Sequence, residues 1–163
     1  MKKIIIGIMG PGEGATPTDC QNAYEIGRLI AQAGWVILTG GRNIGVMDAA
    51  SKGAKSANGL TIGILPGIDD QNISEAVDIA IVTDMGNARN NINVLSSYVV
   101  VACGIGIGTA SEIALALKVK KKVILLTNNQ ESKVFYQKLS PENIFIVENP
   151  IEIPAIIKKL IVL

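Results

Sequence analysis

The chain has 163 residues, 15 Lys plus Arg against 14 Asp plus Glu, no histidine and 4% aromatic residues. That length suits a single domain over residues 1–163, and the balanced charge and scarce stacking platforms argue against nucleic acid or an anionic membrane as partner. Without histidine there is no Ser-His-Asp or Cys-His pair, no HExxH zinc site and no imidazole shuttle, so any catalysis falls to carboxylates and no metal site is expected.

Lys2 and Lys3 before Ile4–Ile6 faintly resemble a secretory leader, but the apolar segment stops at Gly10–Pro11 and reads better as a first strand, Ile4–Met9. Gly10-Pro11-Gly12-Glu13-Gly14 follows at its carboxyl end. Asp19 is then placed to cap a helix to about Ala33, with Tyr24, Ile26, Leu29, Ile30 and Ala33 as its apolar stripe. Trp35–Leu38 makes a second strand and runs into Thr39-Gly40-Gly41-Arg42-Asn43-Ile44-Gly45-Val46-Met47. The next helix, about Gly45–Ala57, carries Ala49, Ala50, Ser51, Gly53, Ala54 and Ala57, a surface that permits close backbone approach to the sheet or to a second subunit. Leu60–Leu65 is a third strand, ended by Pro66-Gly67, and a fourth lies near Val77–Val82.

From Met85 the spacing predicts a helix with Met85, Ala88, Ile92 and Leu95 on its apolar face and Arg89 and Asn93 on its flank. Val99–Cys103 is an unbroken apolar run that suits a strand buried on both faces. Its helix is expected from Thr109 to about Val119, apolar on several sides and therefore a candidate for oligomer contacts. Val123–Leu126 is a sixth strand, Lys133–Leu139 a short helix and Ile144–Val147 a seventh strand. A last helix lies between Asn149 and Val162 and opens at Pro150 or Pro154. Cys20 and Cys103 show no CxxC spacing, as expected of free thiols in a reducing cytoplasm, and no apolar run approaches a membrane span.

Strands alternating with helices in this way predict an α/β fold, a three-layer sandwich around a mostly parallel sheet of about seven strands. Ligands of such sheets sit beyond the carboxyl ends of the strands. Every glycine cluster falls there: Gly10–Gly14, Gly40–Gly45 and Gly104–Gly108. Gly104, Gly106 and Gly108 lead directly into a helix whose first N–H groups lack intrahelical partners and whose dipole is positive at that end, so an anionic small molecule is the expected ligand. The alternative is that Thr109 and Glu112 form a capping box and the glycines only permit a tight turn. The G-x-G-x-x-G dinucleotide fingerprint fits poorly, and no phosphate loop ending in G-K-[ST] is present.

TGGRNIGVMDAA at Thr39–Ala50, MGNARNNIN at Met85–Asn93 and GIGIGTASEIALAL at Gly104–Leu117 together resemble the superfamily of the "lonely guy" cytokinin-activating phosphoribohydrolases. Within it the chain is most similar to the molybdenum cofactor carrier branch, many of whose relatives bear the label "possible lysine decarboxylase". The resemblance implies a Rossmann-like fold, at least a dimer, and a site for a phosphorylated nucleotide-like or pterin ligand such as a nucleotide or molybdenum cofactor. The hydrolase pattern is P-G-G-x-G-T-x-x-E with an Arg-Lys pair on the preceding helix. Gly106, Gly108, Thr109, Glu112 and Arg89 match it, whereas Gly104 replaces the proline, Ile105 a glycine and Asn90 the lysine.

These departures favour binding and release over turnover. The expected ligand set is Gly10, Gly12, Gly14, Gly40, Gly41, Arg42, Gly45, Met47, Arg89, Asn90, Gly104, Gly106, Gly108, Thr109 and Glu112. If the chain instead hydrolyses a nucleoside 5′-monophosphate to base and ribose 5-phosphate, Arg89 and Glu112 are the catalytic pair: the carboxylate stabilises the cationic ribose or activates water and the arginine holds the phosphate, with no cofactor required. Lysine decarboxylation would need a Schiff-base lysine, and none lies in the three glycine loops.

Overall fold

A computed structural model describes residues 3–162; the Lys2 part of the leader-like pattern lies outside them. The elements are β1 (Ile5–Met9), α1 (Pro17–Gln32), β2 (Val36–Thr39), α2 (Gly45–Ser56), β3 (Thr61–Leu65), β4 (Ile79–Val82), α3 (Arg89–Ser96), β5 (Val99–Cys103), α4 (Ile107–Lys118), β6 (Val123–Leu126), α5 (Gln130–Leu139), β7 (Ile144–Val147) and α6 (Ile153–Val162). Short 3-10 turns at Gly86–Ala88 and Pro150–Glu152 lead into α3 and α6.

The sheet is a Rossmann-like one in the order β4-β3-β2-β1-β5-β6-β7, and every strand pair is parallel. From β1 the chain winds outward through β2, β3 and β4, then crosses back to lay β5 on the other side of β1. The direction of winding therefore reverses between β1 and β5, where an open α/β sheet leaves a crevice at its carboxyl edge.

Two cores separate on the two sheet faces because successive strand side chains point oppositely. Ile6, Ile8, Val99, Val101 and Cys103 pack with α1, α2 and α6. Met9, Val100, Ala102 and Leu125 pack with α3, α4 and α5. No helix among the described residues is long and apolar enough to cross a membrane.

Four local expectations are corrected. Helix α1 begins earlier than Asp19: Thr16 is the cap, its hydroxyl accepting from Asp19 N–H while the Asp19 carboxylate accepts from Thr16 N–H, with Pro17 in the first turn. This is a capping box with aspartate in the glutamate position. Helix α4 begins at Ile107, with Gly106 as a cap that offers no side chain, so Thr109 and Glu112 lie inside the helix and form no capping box. The small-residue surface of α2 packs on a neighbouring helix, α1, besides the sheet. It lets α2 press on α1, where a Cβ on Gly53 would stand 1.9 Å from the Tyr24 carbonyl oxygen and one on Gly27 would stand 2.1 Å from that of Ala50.

The fourth correction concerns α3. Met85 and Leu95 of the anticipated apolar face are exposed, and the buried residues are Arg89, Asn93 and Val94. A polar face is buried here because it forms a wall of the cleft described below. The proline alternatives for the last helix both hold, since Pro150 opens the 3-10 turn and Pro154 lies in the first turn of α6.

Candidate functional site

Because all strands run parallel, the loops after β1, β2 and β5 and the entry to α3 meet on one edge. They enclose a cleft of about 580 Å³, within the size range of small-molecule sites. From the first loop come Gly10, Pro11, Gly12, Glu13 and Gly14, and from the second Gly40, Arg42 and Met47. Asn87, Arg89 and Asn90 enter from α3 and the turn before it, and Gly106, Ile107, Gly108, Thr109 and Glu112 from α4.

The α4 wall is the N-terminal end of a helix, where backbone N–H groups and the positive end of the dipole favour negative charge. Its first intrahelical bond is from Ala110 N–H to the Gly106 carbonyl, 2.8 Å, so the N–H groups of Ile107, Gly108 and Thr109 precede the helix's own bonding. A Cβ on Gly108 would meet nothing within 4 Å, so no protein atom requires glycine there. Glycine there leaves the backbone open at the cleft surface.

Arg89 is 9% exposed, and its guanidinium donates to the Gly40 carbonyl at 2.7 Å and to the Ile64 carbonyl. These bonds join α3 to the ends of β2 and β3 and fix the fork in the cleft wall. A Cβ at position 40 would lie 2.4 Å from an Arg89 terminal nitrogen and 2.6 Å from Met47 Sδ, so any larger residue there displaces these two side-chain ends from the cleft wall. Burial lowers the Arg89 pKa, partly offset by the charge of Glu112.

Glu112 is 7% exposed and accepts at Oε1 from Asn93 Nδ2, 2.9 Å away. Burial pushes its pKa up to about 7, against the downward pull of the Asn93 bond and the Arg89 charge. Three buried polar atoms, Arg89 Nε, Asn93 Oδ1 and Thr109 Oγ1, have no hydrogen-bond partner among the described residues. Native proteins rarely leave such atoms unpaired, and Arg89 and Thr109 are both residues of the cleft lining. Among the described residues no three His, Cys, Asp or Glu side chains gather as a metal-ligand group.

Of the anticipated ligand set, Gly41, Gly45 and Gly104 do not line the cleft. Their glycines serve the backbone behind it. Gly45 has φ +56° with the Pro11 and Gly12 carbonyls close by, and Gly104 has φ +74° against the Asp19 carboxylate. Gly41 packs on Gly63 and Leu65. The remaining members of the set are brought together.

Sequence reasoning missed Pro11, Glu13, Asn87 and Ile107 in the lining, and Asn93 as the partner of Glu112. Asn93 was legible, because it stands four residues after Arg89 and hence on the same helical face. Ile107, at the rim and 95% exposed, carried no such signal.

The SLOG cluster4 family model matches residues 3–153. The molybdenum cofactor binding protein of the phototrophic bacterium Rippkaea orientalis is 61% identical, with a TM-score of 0.97 and 99% of each chain covered. The molybdenum cofactor carrier protein of Chlamydomonas reinhardtii is 49% identical with a TM-score of 0.94, covering 99% of this chain and 100% of that one. The cytokinin riboside 5′-monophosphate phosphoribohydrolase of Mycobacterium tuberculosis is 30% identical over 104 residues, 61% of this chain and 56% of that one.

Proposed function

The chain belongs to the SLOG cluster4 family and is homologous over its whole length to molybdenum cofactor carrier proteins, and from that premise we propose that it binds molybdenum cofactor in the β1–β5 cleft and releases it unchanged. The observation that carries this reading is the pair of buried, unpartnered atoms in the lining, Arg89 Nε and Thr109 Oγ1. A phosphorylated pterin brings acceptor oxygens of the kind that such donors pair with. Its phosphate suits the N–H groups opening α4 and the Arg42 guanidinium, while Arg89 and Thr109 offer further donors to its oxygens.

Two departures from the hydrolase pattern support binding without turnover. Asn90 stands where the hydrolases have lysine, and its side chain donates to Ser111 Oγ at 3.0 Å, tying α3 to α4 instead of presenting a second cation. Ile105 packs into the α3–α4 core. Cleavage of a nucleoside monophosphate is a second reading, favoured by Glu112, whose near-neutral pKa suits proton transfer.

Apo protein mixed with molybdenum cofactor and passed through a desalting column should retain it, and Arg89→Ala should retain at least about tenfold less, since a hydrogen bond to a charged group contributes roughly 1.5–3 kcal/mol. Gly108→Ala should fold at least as well as the parent, having open space for its methyl and a higher helix propensity, yet bind more weakly. A panel of nucleoside monophosphates should yield no free base. No retention by the unsubstituted protein would end the carrier reading, and base release lost in Glu112→Gln would install the hydrolase.

We also propose self-association through the outer part of the α3 face. Ile79 and Ile81 of β4 pair with Ile62 and Ile64 and so point to the α3 side, where they are each 44% exposed; Met85, after β4, and Leu95 of α3 are exposed as well. A two-fold contact of this stripe with a second copy would cover it. Sedimentation should show a dimer or larger species at micromolar concentration, driven toward monomer by Ile81→Asp with Leu95→Asp. A parent protein that sediments as monomer would refute it.

A further inference from the structure

Glu112 is the part of the cleft that phosphate binding leaves unexplained. It lies three residues beyond Thr109, on the same face of α4, and helical side chains lean toward the N-terminus, so its carboxyl group lies toward the end of the helix that suits an anion. An ionised carboxylate beside a phosphate repels it. Glu112 must therefore either carry a proton when the ligand is bound or face a different part of the ligand.

Its surroundings favour the second arrangement. From α3, Asn93 points an N–H at Oε1 and Arg89 brings a positive charge; Arg42 stands in the loop after β2, and the one other carboxylate of the lining, Glu13, is exposed in the loop after β1. Burial disfavours the charged form and sets the net upward shift; the Asn93 donor and the Arg89 cation pull the other way and hold the carboxylate once it ionises. The Asn93 bond occupies Oε1 and among the described residues no group bonds Oε2, so one oxygen of a nearly buried carboxylate remains to accept a hydrogen bond from whatever enters.

Resting on the carrier reading, we infer that Glu112 recognises the heterocycle of the ligand: its carboxylate accepts a hydrogen bond from the exocyclic 2-amino group of a 2-amino-4-oxo pyrimidine ring, the edge that pterins share with guanine. The phosphate is held at the opening of α4, and the ring edge is read at Glu112. A ring bearing oxygen in place of that amine would set a carbonyl against the carboxylate and be rejected. Adenine, which pairs its amine with a ring acceptor, fits the ionised form less well.

The inference fixes the direction of proton exchange. Burial pushes the Glu112 pKa up to about 7, so near neutral pH part of the population carries its proton. A ligand that donates to the carboxylate expels that proton; one that places its anion there draws a proton in.

The test uses neopterin monophosphate, a stable phosphorylated pterin, against its lumazine counterpart with oxygen at position 2. Guanosine and inosine 5′-monophosphates form a second pair differing in the same amine. Calorimetry at pH 7 in buffers of different ionisation enthalpy gives both affinity and protons exchanged. The 2-amino member of each pair should bind about tenfold more tightly, as expected of one hydrogen bond to a charged group, and should release more protons on binding than its counterpart. Both effects should vanish in Glu112→Gln, with its folding checked by thermal melt. Equal affinities within the pairs, proton uptake, or no binding of the 2-amino compounds would overturn the inference. Retention of molybdenum cofactor itself, measured in parallel, shows whether the carrier reading survives such a result.

Discussion

Replacing Gly53 with alanine should destabilise the protein by about 3 kcal/mol, even though alanine is the better helix former by about 1 kcal/mol. The new Cβ would stand 1.9 Å from the Tyr24 carbonyl oxygen and 2.7 Å from its carbon, backbone atoms of another helix that no side-chain rotation can move aside. Helix α2 must back away from α1, and with it the stretch from Arg42 to Met47 that walls the cleft. Gly27→Ala should behave alike, since its Cβ meets the Ala50 carbonyl at 2.1 Å. For a chain of this length the loss corresponds to a fall in melting temperature of roughly 6–12 °C. Gly14→Ala is the control: nothing lies within 4 Å, and its melting temperature should match the parent's. If Gly53→Ala melts with Gly14→Ala, the two helices are not in backbone contact.

The same glycines show where a sequence stops being legible. The pattern of the inner strands is plain because strands of a parallel sheet covered on both faces read as apolar runs: β5 and β6, buried throughout, fall where those runs fall. The small residues of α2 announce close packing, but a single sequence does not say against what, and the answer is α1. Glycine clusters mark the carboxyl edge of the sheet correctly, yet clusters mix two kinds of residue. Gly40 and Gly108 face the cleft, whereas Gly45 and Gly104 hold left-handed backbone behind it.

Helix α3 was the least readable element for a related reason. Apolar periodicity locates a core face, and here the buried face carries Arg89 and Asn93, while the periodic apolar residues Met85 and Leu95 stand in solvent. A functional wall inverts the rule from which the helix was read. Likewise Thr-x-x-Glu at the start of α4 has the form of a capping box, and only the helix beginning two residues earlier shows that both side chains turn inward.

That inward turn has a thermodynamic signature in Glu112→Gln. Burial moves the carboxyl pKa from an ordinary 4.5 to about 7, so between those values the folded chain binds more protons than the unfolded chain and stability falls as pH rises. The favourable term belongs to the protonated form: it is fully present below pH 4.5 and lost as pH climbs through 7. At 1.36 kcal/mol per pH unit, the ionised side chain costs roughly 3 kcal/mol of stability at pH 8 and above. Glutamine keeps the shape and an oxygen to accept from Asn93 but carries no charge. The substituted apo protein should therefore be more stable than the parent at pH 8.5 by up to roughly 3 kcal/mol, with the difference shrinking toward zero near pH 4.5. Urea unfolding across that range measures it, and a difference that does not change with pH would mean the carboxyl group is hydrated in the folded state. A residue that costs stability at the pH where it is ionised, beside a buried arginine with an unpartnered nitrogen, is more readily explained by a ligand than by the fold.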